Sequence, residues 1–234
     1  MYCFLDTFGI VLHMRRKTQF AEGEYYHVYN RGVEKRDIFL DDYDRDRFQA
    51  LLYAANGSRR FVYRELGENL YEKFDRGGPL VAIGAYVLMP NHFHILVKEI
   101  REGGIAIFMH KLLTAYSLYF NKRHQRVGPL FQGRFGDTHV SRDEHLKYLY
   151  AYIHLNPVKE ALLKGVQINS DMSSIGRHLS GYEYSSFNDF MGVQRSERSI
   201  LSTQEFPKYF SVKCDFRKFI AGWMRLKNVY GDGG

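Results

Sequence analysis

Residues 80–100 read LVAIGAYVLMPNHFHILVKEI, and their pattern decides the architecture. Two runs of strand-forming residues, Leu80 to Met89 and His92 to Ile100, are separated only by the turn pair Pro90-Asn91. This predicts an antiparallel hairpin. Side chains alternate faces along a strand, so His92 and His94 share one face while Phe93 enters the opposite layer. Two neutral imidazoles on one face can share a divalent cation. The chain has 10 histidines, however, and a single His-x-His pair is more often structural than metal-binding.

Working outward from the hairpin, Tyr25 to Tyr29 is rich in strand formers and stops at Asn30-Arg31-Gly32, which marks a first strand and a turn. Phe48, Leu51, Leu52 and Ala55 recur at helical spacing and predict a helix from about Tyr43 to Ala55. Beyond the hairpin, Gly103-Gly104 opens a second periodic segment with Ile107, Leu112, Ala115, Leu118 and Tyr119 apolar, ending near Arg123. Residues 137–140 read as a further strand candidate. Ser141 and Glu144 then make a Ser-x-x-Glu capping box at the head of a helix carrying Leu146, Leu149, Tyr150 and Ile153. That helix should stop at Asn156, because Pro157 disfavours helical geometry in the residue before it. Asn156-Pro157 would in turn cap a short helix closed near Gly165. The order strand, helix, hairpin, helix, strand, helix predicts an α+β fold, a ferredoxin-like or RRM-like antiparallel sheet with helices packed on it. A polar, Ser-rich stretch over 169–199 and a helix from about 213 to 228 read as a C-terminal helical tail.

The chain has 234 residues, 45% of them hydrophobic, enough for one substantial core with appendages. Its formal net charge of +7 favours polyanionic partners. The charge is concentrated over residues 101–136, where Arg101, Lys111, Lys122, Arg123, Arg126 and Arg134 face a single anion, Glu102. Tyr116, Tyr119, Phe120, Phe131 and Phe135 are interleaved with these cations. Cation and ring together suit single-stranded nucleic acid, although several of the rings must belong to the core. Two cysteines are too few for a zinc cluster or a disulfide framework, so a reducing compartment is expected. No apolar run reaches the ~20 residues a membrane span requires, and Met1 to His13 lacks the basic start and cleavage site of a signal peptide. Met14-Arg15-Arg16-Lys17 offers an alternative start, which makes residues 1–13 a non-essential extension. The expected location is the cytoplasm.

Three strings occur in order: Met89-Pro90-Asn91-His92-Phe93-His94, then Gly128-Pro129-Leu130-Phe131-Gln132-Gly133-Arg134-Phe135, then Tyr152-Ile153-His154-Leu155-Asn156-Pro157. With them the chain closely resembles the single-tyrosine transposases that carry a His-hydrophobic-His motif, in particular the REP-associated tyrosine transposases. The resemblance runs from about Tyr25 to Leu163, and Tyr184-Ser185-Ser186 is similar to that family's aromatic-Ser-Ser segment.

The resemblance implies a catalytic domain over 14–165, and the polar and helical tail over 166–234 reads as an accessory region. It implies that His92 and His94, assisted by the amide of Asn156, bind Mg²⁺ or Mn²⁺, and that Tyr152 is the nucleophile. Related insertion-sequence transposases have Gln where this chain has Asn156. The implied partner is single-stranded DNA folded into hairpins by palindromic repeats, in a bacterial cytoplasm at the nucleoid. Arg15, Arg16, Lys17, Arg31, Lys111, Lys122, Arg123, Arg126 and Arg134 are the candidate DNA contacts. His154, two residues from Tyr152 on a helix, faces away from it and reads as structural. A hairpin-binding regulator that does not cut is the alternative from another class, and the choice between a monomer and a homodimer with an exchanged catalytic helix stays open.

Overall fold

The computed structural model describes residues 19–62, 69–168, 172–210 and 213–229. The first strand, β1 (Tyr25–Arg31), leads through a 3-10 turn to helix α1 (Asp42–Ala54), whose N-cap Asp41 accepts the Asp44 amide. A short α2 (Leu70–Lys73) precedes the hairpin of β2 (Val81–Met89) and β3 (His92–Glu99). Helix α3 (Gly104–Arg123) and strand β4 (Gly136–Val140) follow. The sheet order is β2-β3-β1-β4, with every neighbouring pair antiparallel. This is the ferredoxin-like β-α-β-β-α-β arrangement anticipated from the sequence.

Alternation along the strands builds the layers. Tyr26 and Val28 of β1 and Phe93, Ile95 and Val97 of β3 enter one core with Phe48, Leu51 and Leu52 of α1 and Phe108, Leu112, Tyr116 and Phe120 of α3. The other face is covered by α4 (Asp143–Leu163), whose Leu146, Leu149, Tyr150 and Ile153 pack on Val87, Met89 and Leu96. Strand β2 is buried on both faces, as its nearly unbroken apolar run requires.

Two expectations about α4 are corrected. The helix begins at Asp143 with Arg142 at the N-cap position and no side-chain cap, so Ser141 and Glu144 do not form the expected box; Glu144 falls one position short of the third helical residue that such a box needs. Nor does the helix stop at Asn156, because it continues through Pro157 to Leu163. An interior proline costs about 3 kcal/mol in an isolated helix. Here Ala151, Leu155 and Val158 are buried on the side away from the sheet, at about 1.5–3 kcal/mol for each large apolar side chain. Tertiary burial therefore outweighs the local preference, and Asn156 is a mid-helix residue rather than a cap.

The burial comes from the tail. Helices α5 (Met172–Ser180), α6 (Phe187–Phe190) and α7 (Lys213–Val229) bring Ile175, Leu179, Phe187, Phe216 and Ile220 onto α4. The segment 184–186 also lies along the outer edge of β2: the Leu88 amide donates to the Tyr184 carbonyl at 2.9 Å and the Ser186 amide to the Tyr86 carbonyl at 3.0 Å. Arg195 clamps this segment, donating to the Ser185 carbonyl at 2.6 Å, the Tyr86 hydroxyl at 3.2 Å and the buried carboxylate of Asp189. Among the described residues no helix is long and apolar enough to cross a membrane.

Candidate active site

One end of the sheet face covered by α4 opens into a cleft of about 590 Å³. Strand alternation puts Tyr25, His27, Tyr29 and Arg31 of β1 on the same face as His92 and His94 of β3. The antiparallel register sets Tyr29 beside His94 and Arg31 beside His92. From the opposite layer, Tyr152 of α4 brings its ring to 5.2 Å from that of His94, centroid to centroid. The imidazole pair, Tyr152, Arg31 and Arg134 thus line one cleft, assembled within a single chain.

The rim is held by backbone bonds between distant loops. The Gly32 amide donates to the Asn91 carbonyl at 2.9 Å, the Val33 amide to Leu130 at 2.9 Å, and the Gln132 amide to Arg31 at 2.8 Å. These bonds bring the Gly128–Phe135 string to the histidine motif, and the Arg31 guanidinium donates to the Gln132 side chain. Gly136 faces Tyr29 so closely that an added Cβ would lie 2.5 Å from the ring. Only a glycine leaves that ring its place in the wall.

Asn91 orients His92. Its amide nitrogen donates to the Lys35 carbonyl at 3.1 Å, so its oxygen is the end facing His92 Nδ1 at 2.6 Å. An amide oxygen only accepts, so Nδ1 carries the proton and Nε2 keeps the lone pair. His94 uses its Nδ1 on His27 Nε2 at 2.9 Å. Burial holds the pKa values of His92 and His94 below the ordinary histidine range, and that of His27 down to about 4. The cations around the cleft and the neighbouring imidazoles act in the same direction, while Glu160 opposes the shift at His92. All three rings are neutral at physiological pH, the form that donates a lone pair. The Tyr152 phenol is pushed up by burial, then by Tyr148 and Tyr29, and is protonated at rest.

Arg31, Lys35 and Arg134 line the cleft without any carboxylate among the lining residues, which favours an anion. Asn156 lies one turn beyond Tyr152 but is not part of the lining. Its amide nitrogen donates to the Tyr152 carbonyl at 2.8 Å, leaving its oxygen as the end not spent on the helix. His154 faces away, as expected. It is fully buried, with Nδ1 on the Tyr150 carbonyl at 2.7 Å and Nε2 accepting from the Ser186 hydroxyl at 2.8 Å.

Apart from Arg134, the basic run is not gathered here. Lys111, Lys122 and Arg123 lie on α3, across the sheet from the cleft. Arg123 is paired with Asp41 and the buried Asp44, Lys111 donates to the Gly57 and Arg59 carbonyls, and Arg126 to the Asn121 side chain. Tyr116, Phe120 and Phe131, interleaved with these cations, are core rings. Arg15, Arg16 and Lys17 lie outside the described residues. Sequence reasoning missed His27 and Tyr29, although the alternation that selected His92 and His94 applies equally to β1.

The ferredoxin-like sheet thus brings an imidazole pair and a tyrosine together in a cationic cleft. The model of the family described as "Transposase IS200 like" matches residues 22–156, and the chain belongs to that family. Its function is that of a transposase acting on DNA. A solved REP-associated tyrosine transposase bound to a REP hairpin is similar over 78% of this chain and 89% of its own, at 14% identity and a TM-score of 0.46. No curated protein sequence matches.

Proposed function

We propose that this transposase cuts and rejoins single-stranded DNA at hairpins formed by palindromic repeats, with Tyr152 as nucleophile. The observation that carries the reading is the 5.2 Å approach of the Tyr152 ring to His94 in a cleft that also holds His92, Arg31 and Arg134. The phenol oxygen attacks the scissile phosphorus and the P–O3′ bond breaks. A 5′-phosphotyrosine forms, and the proton lost by the phenol ends on the 3′-oxygen. The phosphodiester energy is retained, so the reverse attack by a 3′-hydroxyl reseals DNA without ATP. Arg31 and Arg134, which line the cleft, contact the DNA phosphates.

The donor set suits a divalent cation. Among the described residues no group of three or more His, Cys, Asp or Glu gathers, but two neutral imidazoles line one cleft, His92 with Nε2 unprotonated and His94 able to bare its Nε2 by donating from Nδ1, and hard cations such as Mg²⁺ complete their shell with substrate oxygens and water. In this reading His92 and His94 would hold Mg²⁺ or Mn²⁺, and the Asn156 oxygen, one helical turn from Tyr152 but outside the cleft lining, would be the third ligand. The bound ion would polarise the scissile phosphate and neutralise charge developing there. Such help matters because full ionisation of an ordinary phenol at pH 7 costs about 4 kcal/mol, and burial raises that cost for Tyr152.

Incubation of the full chain with hairpin-bearing single strands and Mg²⁺ should trap a covalent protein–DNA adduct. Tyr152→Phe should abolish the adduct and leave hairpin binding intact. Equal adduct from the variant would assign the nucleophile elsewhere, and binding without any adduct from the unaltered protein would favour a hairpin-binding regulator.

A further inference from the structure

We infer that His27 is a positioning residue for the metal ligand His94; the inference rests on the reading of His92 and His94 as the ligand pair. His27 is nearly buried on β1, its ring lies 4.9 Å from that of His94 at an interplanar angle of 27°, and its Nε2 stands 2.9 Å from His94 Nδ1. Two neutral imidazoles joined in this way share one proton, and the bond can run in either direction. When His27 donates, the proton of His94 sits on Nε2, and that nitrogen has no lone pair for a cation. When His94 donates, Nε2 is bare. His27 accepts equally well, so cation binding selects the second arrangement and the bond then fixes both the tautomer and the ring plane of His94. Carboxylates or carbonyls usually perform this task for ligating histidines. An imidazole performs it here without adding a negative charge beside the phosphate that the cationic cleft must hold.

The test is Mn²⁺ titration of the full-length protein by calorimetry, with His27→Phe, His27→Gln and His94→Ala beside the unaltered chain. His27→Phe keeps a planar ring but no acceptor and should weaken Mn²⁺ binding 10–100-fold. His27→Gln restores an acceptor and should recover most of the affinity, a rescue that a packing role would not produce. Undiminished affinity in His27→Phe, with loss in His94→Ala, overturns the role of His27 alone. Undiminished affinity in His94→Ala overturns the ligand reading beneath it. The unaltered ¹⁵N-labelled protein gives a readout independent of how the variants fold. With saturating Mg²⁺, a coupling across the hydrogen bond should join a protonated His94 Nδ1 to a bare His27 Nε2, and a proton found on His27 Nε2 overturns the inference.

Discussion

Replacing Gly84 by alanine tests whether the tail is an integral part of the fold. Gly84 sits at the register shift of β2, and a Cβ there would lie 2.7 Å from two carbons of the Phe206 ring. Its φ is not in the left-handed region, so alanine itself is unstrained and should gain about 0.4–1 kcal/mol through the unfolded chain. Carbon–carbon contact is comfortable at about 3.5–4.0 Å, so the ring must retreat by roughly an ångström. It has little room, being 5% exposed and packed against Tyr25 at 5.3 Å and Tyr150 at 6.5 Å between ring centroids. Overpacking of this kind costs about 1–3 kcal/mol and should outweigh the entropic gain. Phe206→Leu removes the two ring carbons at 2.7 Å, leaving a δ-carbon position at 3.0 Å, so in that background most of the Gly84→Ala penalty should disappear. Urea unfolding of the four proteins gives the coupling directly, with an expected value of about 1–3 kcal/mol. Equal penalties in both backgrounds would mean that Phe206 does not lie over Gly84, and that the tail is docked elsewhere.

Two further outcomes follow from the same packing. Arg195→Met leaves the Asp189 carboxylate buried without its partner and should cost about 3–5 kcal/mol in urea unfolding; a loss under 1 kcal/mol would show that the clamp is not formed. His154 is held down to about pKa 4, chiefly by burial, while the unfolded chain protonates it near 6.5. Below pH 6.5 the unfolded state therefore binds the extra proton, and stability falls as pH drops toward 4 and levels off beyond. From this group the loss between pH 7.5 and 5 is about 2 kcal/mol. In metal-free protein, His154→Gln should reduce the pH dependence by that amount, and an unchanged pH dependence would remove His154 from the account.

Local pattern was enough to read much of this protein. The break at Pro90-Asn91 gives the hairpin, and period-two alternation puts His92 and His94 on one face with Phe93 on the other. The apolar periodicity of α1 marks a helix because only one stripe of it can be buried; α3 was likewise legible as a helix, but its buried stripe is Ile105, Phe108, Leu112, Tyr116 and Phe120, while Ile107 and Leu118 of the expected apolar set are exposed. The spacing of Tyr152 and Asn156 likewise follows from the helical repeat within one element.

What local pattern could not decide were the outcomes set by contacts between distant segments. That β1 lies beside β3, in the register that puts His27 against His94, depends on sheet pairing between residues 67 positions apart. Local geometry favoured ending the helix at Asn156, yet burial by the tail carries it through Pro157. The cations of α3 resembled a binding surface, but Asp41 and Asp44, about 80 residues earlier, take up Arg123. Sequence alone determined which side chains share a face of one strand or helix, because that follows from the backbone repeat. Tertiary structure decided which faces meet, because burial and long-range hydrogen bonds outweigh the one to three kcal/mol, roughly, of any local preference.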